Sequence, residues 1–187
     1  MSSPLPQLDP ELDPDAADRA SERDPVPGPE PRWLSDEEQR HWRSYLRGSR
    51  LLEVALDHDL QSQGVQLSEY ELISMLSEAP GGRLRMSVLA ELIVQSRSRV
   101  THTAARLERR GWVRREACLE DRRGVELVLT DAGRAAVERM ARVHVESVRR
   151  HLLDAMPPEQ FAQLGQAMQR IRQQVADEGE ITGGMAD

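Results

Sequence analysis

From Arg83 to Thr130 the spacing of apolar residues switches from a helical period to a strand period. Gly82 leads into an apolar-patterned segment, Met86-Ser87-Val88-Leu89-Ala90-Glu91-Leu92-Ile93, and after a few polar residues a second segment runs from about Ser96 to Arg110. Within the second, Val100, Ala104 and Leu107 recur at i, i+4 and i+7, a narrow stripe on a 3.6-residue wheel. The opposite face carries Ser98, His102, Ala105, Arg106 and Arg109, flanked by Arg97, Arg99 and Thr101. Such a helix buries a thin side and presents small residues and guanidinium groups to water. Gly111 is placed to end it with positive φ. Two β-type runs follow, Trp112–Cys118 and Val125–Thr130, around the charged loop Leu119-Glu120-Asp121-Arg122-Arg123-Gly124.

Helix, turn, helix and basic-tipped hairpin make a winged helix-turn-helix. Its second helix has the width to enter a major groove, and the hairpin tip can reach the adjacent minor groove. Charge agrees: Arg83 to Arg123 holds about eleven arginines against about five acids, in a chain whose net charge is −7. A basic surface on an otherwise acidic protein fits a double-stranded DNA binder with a localised attractive field. The competing reading is an ordinary solvated helix and hairpin. Ser98, Thr101, His102 and Arg106 are the candidates for base edges or nearby phosphates. Ser96, Arg97 and Arg99 lie near the helix N-terminus, where the helix dipole favours phosphate. Arg122 or Arg123 would line or enter the minor groove, while Arg109 and Arg110 read as a solvated helix end.

These residues also carry a resemblance. Ser96-Arg97-Ser98-Arg99-Val100-Thr101 followed by Leu107-Glu108-Arg109-Arg110-Gly111-Trp112-Val113-Arg114-Arg115 resembles the recognition helix and first wing strand of the MarR (multiple antibiotic resistance regulator) family. Asp121-Arg122-Arg123-Gly124 and Leu129-Thr130-Asp131-Ala132-Gly133-Arg134 look like that family's wing and the start of its next helix. The likeness runs roughly from Trp33 to Val175, and His102 departs from it where many relatives place arginine. It implies a homodimer joined through the terminal helices, a pseudo-palindromic operator and transcription regulation, more often repression. It implies that Asp121 pairs with an arginine and so holds the wing in place. It also implies release by a small aromatic or phenolic ligand, for which His41, Trp42, Arg43 and Tyr45 could supply stacking and an anion partner. Plain core packing is the competing reading for Trp42 and Tyr45. Some family members sense oxidants through a cysteine in the first helix, and this chain has none there.

The expected fold is therefore mainly α, a winged helix-turn-helix with long N- and C-terminal helices forming a dimerisation domain. Residues 1–31, rich in Pro, Asp and Glu, read as a disordered acidic tail. Ser35-Asp36-Glu37-Glu38 is a capping box opening a helix to about Gln61. Its apolar stripe, from Trp42 and Tyr45 to Leu56, is too broad for one packing partner. A second capping box at Leu67-Ser68-Glu69-Tyr70-Glu71 starts a shorter helix that Pro80-Gly81-Gly82 ends. Thr130 caps a helix from Asp131 to about Ala155, and Glu159 to about Val175 forms the last. These spans divide the chain into a helical dimerisation region at 32–66 and 131–175, a DNA-binding domain at 67–130 and a frayed tail at 176–187.

No phosphate-cradling glycine loop, nucleophile elbow or metal-spaced Cys/His cluster is present, so no enzyme, cofactor or metal is expected. His144 and His151 lie two turns apart on one helix and read as packed, hydrogen-bonded histidines rather than zinc ligands. Cys118 stands near acids rather than cations, a setting that does not favour a reactive thiolate. One cysteine, no membrane-length apolar run and no signal sequence lead to a cytoplasmic expectation with no membrane partner. The rival to a DNA-binding regulator is a helical dimerisation or protein-interaction module whose winged fold no longer binds DNA.

Overall fold

The computed structural model describes residues 30–118 and 124–177. It is mainly helical: α1 (Asp36–Gln61), α2 (Leu67–Glu78), β1 (Arg83–Arg85), α3 (Met86–Leu92), α4 (Arg97–Arg109), β2 (Val113–Ala117), β3 (Val125–Leu129), α5 (Asp131–His151) and α6 (Pro158–Asp177). Backbone contacts divide the chain into two units between His41 and Trp42; apart from the cap at Ser35, which lies within the first, the architecture below belongs to the second.

Each helix begins where its cap chemistry is satisfied, though once not where the sequence placed it. Ser35 Oγ accepts the Glu38 amide at 3.2 Å and Glu38 Oε2 accepts the Ser35 amide at 2.7 Å, closing the box that opens α1. For α2 the cap is Gln66 instead of Ser68: the Gln66 amide donates to Glu69 Oε2 at 3.0 Å. Thr130 Oγ1 accepts the Gly133 amide at 3.0 Å and starts α5. That helix stops at His151, short of Ala155, and a 3₁₀ turn at Leu153–Ala155 follows. Pro158 is then the first residue of α6, where its missing N–H leaves no bond unmade.

The sheet has the order β1-β3-β2, antiparallel throughout. Val113 faces Leu129, Arg115 faces Leu127 and Ala117 faces Val125 across the hairpin. The three-residue β1 pairs Leu84 with Leu127, an element that has no signal of its own in the sequence. Leu60, Leu72, Ile73, Leu76, Leu89, Val100, Leu107 and Leu127 are fully buried in one cluster. Full burial of each such side chain contributes about 1.5–3 kcal/mol.

Two junctions fasten α5 to this core. Its fifth turn carries Ser147, whose hydroxyl donates to Asp59 of α1 at 2.6 Å, and Arg150 Nη2 reaches the same carboxylate oxygen at 2.6 Å. The Ser147 hydroxyl and, after it, the Arg150 charge hold the Asp59 carboxyl below its ordinary range. At the other end Gly133 is packed so tightly that a Cβ there would lie 2.1 Å from the Trp112 carbonyl oxygen. The start of α5 is thereby registered on the chain that leads into β2.

Candidate nucleic-acid interface

Helix α4 is held from below and open above. Val100, Thr103, Ala104 and Leu107 are buried on its inner side. Ser96 caps it, its hydroxyl accepting the Arg99 amide at 3.3 Å, and Gly111 at φ 72 ends it as its position requires. Arg97, Ser98, Arg99, Thr101 and His102 are exposed on the outer side. The structure thus gathers five of the candidate residues on one open helical face. It also commits some of their polar atoms: Ser96 Oγ to the cap, and the Thr101 hydroxyl to the Arg97 carbonyl at 2.8 Å.

Two arginines at the far end of α4, Arg106 and Arg110, pair with a buried acid. Arg106 Nε lies 3.2 Å from Oε1 of Glu69, a carboxylate on α2 that is 2 % exposed. Arg110 is not the simple solvated helix end expected of it. Its Nη2 donates to the Gly64 carbonyl at 2.8 Å and stands 3.7 Å from Glu69 Oε2, and its guanidinium lies 5.0 Å from the Trp112 ring centre. A buried carboxylate is costly unless paired, so Glu69 fixes where both arginines lie.

Arg115 on β2 ties the wing to the helix, a role the sequence reading missed. Its Nη2 donates to the Thr101 carbonyl at 3.1 Å, its Nη1 lies 3.4 Å from Glu108 Oε2, and its amide donates to Glu108 Oε1 at 3.3 Å. The reversal at Gly111 was the available signal, because it returns the strand alongside the last turns of α4. On the other side of the wing Arg83 meets Glu116 at 3.0 Å and Glu126 at 3.4 Å, and Arg114 Nε meets Glu116 at 2.6 Å. The Arg114 hydrogen bond is the main reason the Glu116 carboxyl sits below its usual range. Residue counting therefore overstates the outward charge: Glu69 and Glu126, outside the counted stretch, neutralise arginines within it. Among the described residues of α4, Arg97 and Arg99 face outward at its N-terminal half and Arg109 at its other end.

Between that half and the hairpin lies a cleft of about 540 Å³ lined by Arg85, Met86, Ser87, Arg97, Thr101, Arg115, Gly124 and Val125. The expectations for Asp121, Arg122 and Arg123 fall outside the described residues. Cys118 is buried, with Sγ 3.8 Å from Glu126 Oε1. His144 packs on Tyr70 with ring centres 4.6 Å apart, and burial lowers its pKa; its Nδ1 makes no hydrogen bond, contrary to expectation. His151 Nε2 lies 3.4 Å from Asp59. No group of three or more metal-binding side chains occurs among the described residues. Of the ligand candidates, His41 is 3.7 Å from Glu37 and exposed, and Arg43 is exposed. Trp42 and Tyr45 stack at 5.8 Å and are about half exposed, so neither is core within the single chain.

Comparison with known proteins settles the family. A MarR family model matches residues 63–124. The structure is similar to AbsC, a MarR family transcriptional regulator from Streptomyces coelicolor, at 43% identity and a TM-score of 0.74, covering 79% of this chain and 99% of that one. The chain belongs to the MarR family of transcriptional regulators. As such it is a regulator and not an enzyme. It is similar, too, to Sco3205 from the same organism, a MarR family regulator whose crystal structure is in complex with DNA. There the identity is 44% and the TM-score 0.73, with 78% of this chain and 91% of that chain covered. The HTH-type transcriptional regulator PecS of Dickeya dadantii is 29% identical over 133 residues, 70% of this chain and 79% of PecS. Among the described residues no helix is long and apolar enough to cross a membrane.

Proposed function

We propose that this MarR-family chain binds double-stranded DNA as a cytoplasmic homodimer, placing α4 in the major groove and the wing along the neighbouring minor groove. The observation that carries the reading is the open face of α4. Its inner side is fully buried, its ends are fastened by Glu69 and Arg115, and the remaining side presents Arg97, Ser98, Arg99, Thr101 and His102. A rigid helix with guanidiniums near its N-terminus meets both phosphate and base edges. Arg122 or Arg123 is assigned to the minor groove and Asp121 to holding the wing. The crystal structure of the similar Sco3205 with DNA supports the same reading.

Residues 67–130 form the DNA-binding domain, and 32–66 with 131–175 the dimerisation region. No residue of α6 is buried within one chain, and Leu51, Val54, Val145 and Ile171 leave apolar surface exposed on α1, α5 and α6. A second copy of the chain covers such faces at the lowest cost. Twofold pairing sets two α4 helices one or more helical turns of DNA apart, so the operator is a pseudo-palindrome. Occupation of a promoter by such a dimer blocks transcription, hence repression. Release by a small aromatic or phenolic acid is assigned to the stacked, half-exposed Trp42 and Tyr45.

Mobility shift with genomic fragments over a range of salt tests the function. The expected outcome is a discrete complex whose affinity falls steeply with salt. No complex even at low salt would leave the protein-interaction module standing instead.

A further inference from the structure

Glu69 is a carboxylate buried on α2, and α4 is the element it faces. One oxygen, Oε2, accepts the Gln66 amide at 3.0 Å and stands 3.7 Å from Arg110. The other, Oε1, is left for Arg106, whose Nε is 3.2 Å away. That nitrogen is itself buried and held by the ion pair without a hydrogen bond, while the Arg106 side chain as a whole keeps 38% of its exposure. With Nε buried, that exposure belongs to the rest of the side chain, which includes its two terminal nitrogens. A guanidinium is planar and its donors form a rigid fork, so anchoring Nε orients the Nη edge. Arg106 stands one turn after His102, on the side of α4 assigned above to DNA.

We propose that Glu69 is a positioning residue for DNA recognition: it anchors Arg106 from behind and presents the terminal nitrogens of that arginine to an acceptor edge of bound duplex. The inference rests on the DNA-binding reading and adds to it a buried acid that touches no DNA. Without Glu69, Arg106 would have to be ordered at each binding event, and ordering a rotamer-rich side chain weakens association.

Removing the carboxylate separates this from simple electrostatics. Deleting a negative charge near a DNA-binding face by itself tightens binding to polyanionic DNA. Loss of a positioned arginine weakens it. Glu69→Gln, measured by fluorescence anisotropy on the full-length protein with duplex selected by the wild type from a random-sequence library, is expected to raise Kd by about three- to tenfold. Arg106→Ala is expected to raise it by about tenfold or more. In the Arg106→Ala background Glu69→Gln should cause no further weakening, because no arginine remains to be aimed. Arg110→Ala should lower the melting temperature and leave Kd in place.

Arg106→Lys keeps a charge for Glu69 but lacks the fork, so it should stay folded and bind weakly; this variant serves if Glu69→Gln does not fold. A uniform loss across sequences, with a shallower salt dependence, identifies the acceptor as phosphate, and a loss confined to one base pair identifies it as a base edge. The proposal is overturned if Glu69→Gln binds as well as wild type or better, if its effect is the same in both backgrounds, if Arg110→Ala reproduces it, or if Arg106→Lys binds as wild type does. A wild type that binds no duplex would instead remove the DNA reading itself, and this inference with it.

Discussion

The winged segment and the terminal helices are built from similar residues and reach opposite ends. In the first, Val100, Ala104 and Leu107 at helical spacing are wholly buried within one chain. In the second, Phe161, Leu164, Met168 and Ile171 recur at comparable spacing on α6, and none of them is buried. The same amphipathic pattern is satisfied internally where short helices fold over a sheet, and left open where a long helix runs past its neighbours. The lesson is that periodicity gives the face that must be covered, whereas the length and position of the element decide what covers it.

That contrast can be broken from either side, beginning with the largest expected effect. Leu107→Ala removes a fully buried side chain from the middle of the core and should cost about 2–5 kcal/mol in denaturant unfolding. Ile171→Asp should leave the winged core folded by circular dichroism but shift the protein from dimer to monomer in sedimentation. A monomeric wild type, or an Ile171→Asp variant that unfolds, would erase the distinction between the two regions.

A smaller effect sits in the turn before α4. Val94 is exposed and has φ 51, a left-handed conformation that a β-branched residue adopts only under strain. Val94→Gly relieves that strain against the chain entropy glycine adds, for a net gain of up to about 1 kcal/mol. A loss of stability in that variant would contradict the strain.

The smallest effect is a pH slope. Burial lowers the His144 pKa from 6.5, so the unfolded chain binds the proton more readily than the folded one. The stability this histidine contributes is complete above about pH 6.5 and declines as pH falls below it. His144→Phe should flatten the melting temperature against pH in that acid range, and an unchanged slope would place the titration elsewhere.

Much of the winged segment was legible because its signals are local. The Val100–Leu107 stripe, the stop at Gly111, the two strands around a charged loop and the Thr130 cap each follow from a few adjacent residues. What escaped depends on residues distant in sequence. Strand β1 exists only through its pairing with β3, more than forty positions away. The buried acid under Arg106 comes from α2, and capping by Gln66 instead of Ser68 is settled by where Glu69 points. The Thr101 carbonyl that Arg115 grips becomes visible only once the strand has turned back. Counting charges along the chain missed these pairings for the same reason, and so overestimated the field around α4.

The central claim is that the open face of α4 meets DNA phosphates and bases, and the salt dependence of binding tests it most directly. Plotting log K against log salt for wild type, Arg97→Ala and Arg99→Ala on one selected duplex counts the phosphates each arginine neutralises. The account expects a steep wild-type slope that becomes shallower by about 0.9 for each arginine removed from a phosphate. Slopes and affinities indistinguishable from wild type in both variants would contradict it.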